Sequence, residues 1–115
     1  MADDETSVRE NPDENRFELW VGGELAGEIA YERRGEAYLL VHTEVGDRFS
    51  GRGLAGQLVR AALDDLAGRG AEVLPYCSYV RSFVARHREY VPLVPAERRA
   101  RFGLADGEEI RSGGS

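Results

Sequence analysis

The residues best suited to chemistry lie between positions 42 and 77. The run Gly46-Asp47-Arg48-Phe49-Ser50-Gly51-Arg52-Gly53-Leu54-Ala55-Gly56 places four glycines and two arginines just ahead of an apolar-periodic segment. Glycine lets a backbone approach a ligand closely. The first amides of a helix point outward without partners, and its dipole favours an anion there. Arg48 and Arg52 add mobile cations suited to phosphate. This stretch therefore predicts a diphosphate cradle; the plainer alternative is a glycine-rich turn joining a strand to a helix. Upstream, His42 and Glu44 stand two apart in an extended stretch, so both point to one face. Downstream is Cys77, the single cysteine of the chain. Standing just before a helix start, it is either a thiol of depressed pKa, able to act as nucleophile or acid, or a small apolar packing residue.

The elements that must position these groups follow from periodicity. Phe17, Leu19 and Val21 alternate with Glu18 and Trp20 as a strand, and Gly22-Gly23 supplies a tight hairpin turn. Leu25 to Glu32 is the return strand, with Leu25, Gly27, Ile29 and Tyr31 expected on one face. Arg33 to Glu36 makes a second turn, and residues 37–45 form a central strand. The period then changes. Leu54, Leu58, Val59, Ala62, Leu63 and Leu66 describe one face of an amphipathic helix, stopped by Gly68 and Gly70. A short strand covers 71–76, and a second helix covers about 78–87 with Tyr79, Val80, Phe83 and Val84 as its stripe. One or two helical turns are expected over 97–102. The order βββαβα, with a right-handed crossover, gives an α/β (α+β) fold with a mixed sheet: an antiparallel meander followed by helix–strand–helix.

Two nucleotide-binding alternatives weaken against this frame. Gly51, Gly53 and Gly56 satisfy G-x-G-x-x-G, but that fingerprint should follow the first strand of a parallel sheet, with an acidic residue about 20 positions on. Here the loop follows a meander, and too little chain remains for a doubly wound domain. A P-loop is excluded because all 15 basic residues are arginine, which also excludes Schiff-base chemistry on a lysine.

At these residues the chain resembles the GNAT superfamily of acetyl-coenzyme A-dependent N-acetyltransferases. Their pyrophosphate loop has the form Arg/Gln-x-x-Gly-x-Gly/Ala, matched by Arg48-Phe49-Ser50-Gly51-Arg52-Gly53. The resemblance narrows to a minimal branch, the small YjdJ-like or NATD1-like proteins. The counterparts of its motifs are His42-Thr43-Glu44-Val45, Pro75-Tyr76-Cys77 and His87-Arg88-Glu89-Tyr90, and the match spans roughly residues 16–94. Arg88 departs from the branch's proline, and Ser78-Tyr79 stands where Pro-Phe is usual.

The resemblance implies that Arg48, Gly51, Arg52, Gly53, Leu54, Ala55 and Gly56 hold the coenzyme A pyrophosphate. Backbone near Val45 would pair with the pantetheine arm, in a cleft where the strands of residues 37–45 and 71–76 diverge. Transfer to an amine needs a neutral amine, a donor to the thioester oxygen and a proton for the departing thiolate. His42 or Glu44 would relay the amine's proton. Cys77 would face the thioester, as nucleophile or acid. Larger members often place a tyrosine in the middle of the last helix. That stretch here is Phe83-Val84-Ala85, which makes Cys77 the candidate acid, and His87 is expected to cap the helix through its ring. The implied function is N-acetyl transfer to an unidentified amine, with a non-catalytic acyl-coenzyme A-binding module as the alternative.

The remaining expectations come from composition. Residues 1–14 hold Asp3, Asp4, Glu5, Glu10, Asp13 and Glu14 against Arg9 alone, so most of the net charge of −6 sits there. That segment is expected to be a disordered acidic tail, with a single domain over 15–104 and a second disordered tail over 105–115. The near-neutral body argues against a nucleic-acid partner. No metal site, leader or membrane span is expected, and a lone cysteine suits a reducing compartment, so a cytoplasmic monomer is the expectation.

Overall fold

The computed structural model describes residues 5–105. Its elements run β1 (Thr6–Asn11), β2 (Arg16–Val21), β3 (Glu24–Arg34), β4 (Ala37–Val45), α1 (Leu54–Gly68), β5 (Glu72–Pro75) and α2 (Ser78–Arg86), followed by 3-10 turns through Phe102. The sheet order is β1-β2-β3-β4-β5. The first four strands pair antiparallel and β5 joins β4 in parallel. This is the mixed sheet expected, with one strand more than the sequence suggested.

That extra strand corrects the tail assigned to residues 1–14. Residues 6–11 pair with β2 along their whole length, from Thr6↔Val21 to Asn11↔Arg16. Their apolar content is poor, but their polar groups find partners on other elements. Asn11 donates to Glu18 at 2.8 Å, the Arg9 guanidinium lies 4.7 Å from the Trp20 ring centroid, and Arg69 at the end of α1 bonds Glu10 at 2.7 Å. Tyr31 also donates to Glu10. A hydropathy argument misses a strand of this kind because its stabilisation is cross-strand. The tail assigned to 105–115 lies outside the described residues apart from Ala105.

Alternation along the strands separates two faces. Phe17, Ile29 and Thr43 share one register row, and Glu18, Glu28 and Glu44 the next. The first face meets the helices: Phe17, Leu19, Ile29 and Leu40 are fully buried with Leu58, Val59, Leu63, Leu66, Val80 and Val84. Burying each such side chain contributes roughly 1.5–3 kcal/mol. The predicted α1 stripe is buried at every position, Leu54 to Leu66. Gly22 and Gly23 both adopt positive φ, 56° and 86°, as the hairpin requires.

One expectation about β3 fails. Leu25 pairs with Trp20 while Gly27 pairs with Leu19, so Ala26 is an inserted residue. The bulge turns Ala26 inward, 3% exposed, and leaves Leu25 43% exposed. A one-residue insertion moves every earlier side chain to the other face. β3 also runs on through Arg33 and Arg34, and the turn is confined to Gly35 and Glu36.

Glu18 is the buried charge of the helix-free face, 4% exposed. It accepts from Asn11 Nδ2 at 2.8 Å, Arg16 Nε at 2.9 Å and Trp20 Nε1 at 3.0 Å. The Asn11 bond above all, with those of Trp20 and Arg16, holds its carboxyl below the usual range despite burial. Glu18→Gln should cost roughly 2 kcal/mol near neutral pH, a fall in Tm of roughly 8–16 °C. The folded pKa is depressed, so this stability is present above the ordinary glutamate value of about 4.3 and disappears as pH falls through the folded value. Thermal melts of both chains from pH 7 to pH 3 should therefore converge in acid; a gap independent of pH would contradict the assignment.

Candidate functional site

The β4–β5 ladder is short. It pairs Ala37↔Glu72 through Leu40↔Pro75 and ends there, at a proline that has no N–H to offer. The last tie is Cys77 N–H to Leu40 O at 2.7 Å, after which the chain turns into α2. β4 continues through residues 41–45 with no strand on that side. β4 and β5 thus stop pairing at this end of the sheet.

A second bulge aims the side chains around it. Ala30 pairs with His42 but Tyr31 with Leu40, leaving Val41 outside the β3–β4 register. Leu40 is fully buried and Val41 is exposed. Beyond the bulge, His42 and Glu44 point to the helix-free face, with His42 Nε2 3.3 Å from Glu44 Oε1 and both well exposed. Thr43 points the other way, and its Oγ1 lies 3.2 Å from Cys77 Sγ. The structure therefore divides the three predicted catalytic residues. His42 and Glu44 stand together, while Cys77, buried at the N-cap of α2, sits across the strand from them. Thr43, which sequence reasoning passed over, is the polar partner of the thiol. Its only sequence signal was its place between the two titratable residues.

The glycine loop lies at the far end of the open β4 edge. Gly46 N–H bonds Ala26 O at 2.8 Å, a 3-10 turn spans Asp47–Phe49, and Phe49 is buried as the loop's anchor. Gly51 and Gly53 adopt φ of 79° and 72°, a left-handed conformation costly for other residues. Gly53 is the N-cap of α1 and brings no side-chain cap, so the first-turn amides face outward. They border a groove of about 150 Å³ lined by Val45, Phe49, Ser50, Gly51, Gly53, Leu54, Ala55, Gly56 and Tyr79. Six of the eight residues predicted to bind cofactor line this groove together.

The other two, Arg48 and Arg52, flank it. Their guanidinium carbons lie 4.9 Å and 5.8 Å from the centroid of the Phe49 ring. Arg48 is not the mobile cation the sequence suggested: Nη1 lies 3.1 Å from each carboxylate oxygen of Glu24, which raises its pKa. Tyr79 also departs from expectation. Read as part of the apolar stripe of α2, it is 37% exposed, and its hydroxyl would lie 3.7 Å from a Cβ on Gly56. A phenol in an apolar stripe was the available signal.

His87 ends α2 by its backbone, N–H to Phe83 O at 2.9 Å, and not by its ring. The ring stacks on Phe83 at 4.2 Å, with Nδ1 3.4 Å from Arg60 Nη2. Arg60 also donates to Tyr90 Oη, which donates to Asp64 at 2.7 Å. This network ties α1 to the segment after α2. A larger cavity, about 480 Å³, opens at the other end of α1 among residues such as Ala67, Glu72, Tyr90, Leu93 and Arg99; it includes none of the predicted site residues. Among the described residues no group of His, Cys, Asp and Glu is arranged to hold a metal ion, and no helix is long and apolar enough to cross a membrane.

Comparison with known proteins bears on the fold and the family. No curated protein matches the chain. A GCN5-like protein from Staphylococcus aureus, solved by NMR, superposes at a TM-score of 0.61 over 83% of this chain and 91% of its own, at 20% identity. That likeness is one of fold. A GNAT family acetyltransferase from Brucella melitensis, crystallised with acetyl-CoA, aligns over 59% of this chain and 50% of its own at 27% identity and a TM-score of 0.46. The family model of the GCN5-related N-acetyl-transferases matches residues 16–93, more than half of the chain and the whole stretch from β2 through the glycine loop to the turns after α2. The chain belongs to the GCN5-related N-acetyltransferase family.

Proposed function

We propose that this chain binds acetyl-coenzyme A in the loop groove and transfers the acetyl group to a primary amine. The supporting observation is the groove at Gly51–Gly56 beside Val45, at one end of the β4 edge that β5 leaves unpaired over residues 41–45, with the Cys77 tie to Leu40 at the other end. Acetyl-coenzyme A supplies an activated acetyl thioester. The first-turn amides of α1, with Gly51 and Gly53, hold its diphosphate. Backbone groups of residues 41–45, unpaired on the β5 side, receive the pantetheine arm as an added strand. The Val41 amide, outside the β3–β4 register, is the donor for the thioester oxygen. His42 and Glu44 take the proton of the incoming amine on the helix-free face. Cys77, beside Thr43, returns a proton to the departing thiolate. The same proposal includes the YjdJ-like or NATD1-like branch, which the motifs around His42, Cys77 and His87 support, and a cytoplasmic monomer.

One observation favours a second reading. His42 and Glu44 are well exposed and β4 separates them from Cys77, as a binding module without turnover would tolerate. Calorimetry with acetyl-coenzyme A, coenzyme A and NAD, followed by thiol release against a panel of amines, separates the cases. Binding of the first two ligands together with thiol release supports the enzyme, binding without release supports the module, and preference for NAD sinks both. Cys77→Ala should lower the rate about a hundredfold, the low end of acid–base effects, with coenzyme A affinity within twofold. An unchanged rate, and no acetyl adduct on the wild-type thiol by intact mass, would leave Cys77 a packing residue.

A further inference from the structure

We infer that Glu24 sets the affinity of this site for its ligand, as the resident counter-ion of Arg48 that an incoming diphosphate must displace. The inference rests on the coenzyme A reading above. Glu24 begins β3, in register with Val21 at the β2–β3 hairpin, and belongs to no part of the loop. Both of its oxygens nevertheless lie 3.1 Å from Arg48 Nη1.

The reason lies in the charge at the groove's edge. The Arg48 and Arg52 guanidiniums both lie near the Phe49 ring, which itself lines the groove. A neighbouring anion lowers the energy of a cation, and Glu24 provides that anion for Arg48. A diphosphate offers a guanidinium the same kind of charge-assisted bond, so ligand entry exchanges one anion for another at Arg48. The exposed ion pair opposes binding by only a modest factor, about two- to five-fold for pairs of this kind. The effect is selective. A ligand that brings phosphate gains Arg48 in compensation, and a ligand without phosphate never engages the pair.

The test is calorimetric titration of the full chain at low ionic strength with coenzyme A and with pantetheine, which lacks the diphosphate. The variants are Glu24→Gln, Arg48→Ala and the double substitution. Glu24→Gln should bind coenzyme A about two- to five-fold tighter and pantetheine as the wild type does. The gain should vanish in the Arg48→Ala background and shrink at 1 M salt, where screening acts within about 3 Å. Affinity for coenzyme A that is unchanged in Glu24→Gln overturns the inference. Weaker binding also overturns it, by making Glu24 a residue that holds Arg48 ready for the ligand. A wild-type chain that fails to bind coenzyme A refutes the cofactor reading and this inference together, whereas normal binding with no effect of Glu24→Gln refutes the inference alone.

Discussion

Replacing Glu44 by glutamine is expected to lower the rate of thiol release from acetyl-coenzyme A by two to four orders of magnitude, the usual span of a general base. Glutamine keeps the size and shape of the side chain and loses the ability to accept a proton. Glu44 is well exposed, and its carboxylate lies 3.3 Å from His42 Nε2. The substitution should therefore leave Tm within about 4 °C, since surface changes of this kind stay within about 0.5 kcal/mol. Coenzyme A affinity should also hold within twofold, because Glu44 projects to the face away from Thr43 and Cys77. His42→Ala divides the pair. If Glu44 is the base and His42 orients it, the histidine variant loses less rate than Glu44→Gln; the reverse order makes His42 the base. A loss below threefold in both variants would reduce the two residues to a surface pair and favour the binding module.

Gly53→Val should weaken coenzyme A binding by roughly 5- to 30-fold, the equivalent of the 1–2 kcal/mol that a left-handed conformation costs a residue with a Cβ. A branched side chain makes this a lower bound. The added Cβ would meet nothing within 4 Å, so overpacking does not enter and the cost is that of the backbone angle, φ 72°. That cost has two possible destinations. If the loop keeps its shape, folding stability falls. If residue 53 turns to a relaxed angle, the amides at the start of α1 swing away from the groove and affinity falls. The second course is expected, because Gly53 is an exposed N-cap with no side-chain cap to hold it. Calorimetry alongside far-UV circular dichroism and thermal melts would decide. Unchanged affinity with a lowered Tm would place the strain in the fold and remove Gly53 from the binding account.

The parts of this molecule that could be read from the chain are those whose cause is local. The α1 face from Leu54 to Leu66 follows from spacing at three and four residues, and it is buried as spaced. The turn at Gly22-Gly23 and the strand of residues 37–45 follow from turn chemistry and β-branched content. Six of the eight residues named from the sequence as cofactor-binding line one groove, and the diphosphate assigned to it is the proposal above. The motifs carried the family, and the family model covers the same stretch.

Other features depended on residues far apart in the chain. β1 was read as a tail because the partners of Asn11, Arg9 and Glu10 are Glu18, Trp20 and Arg69, which no window around residues 6–11 contains. The bulges at Ala26 and Val41 exist only once neighbouring strands set a register, and they exchanged the expected facings of Leu25 and Ala26. Arg48 looked free because Glu24, 24 residues away, meets it only across the hairpin. Most consequential is the placement of His42, Glu44 and Cys77. The sequence by itself determined that His42 and Glu44 share a face near the end of one strand, because side chains alternate along a strand, and that Cys77 follows the end of another. Which face receives Cys77 was decided by the short β4–β5 ladder, its end at Pro75 and the start of α2, and these put the thiol against Thr43. Side-chain alternation is a property of one strand, but the splay between two strands belongs to the whole sheet.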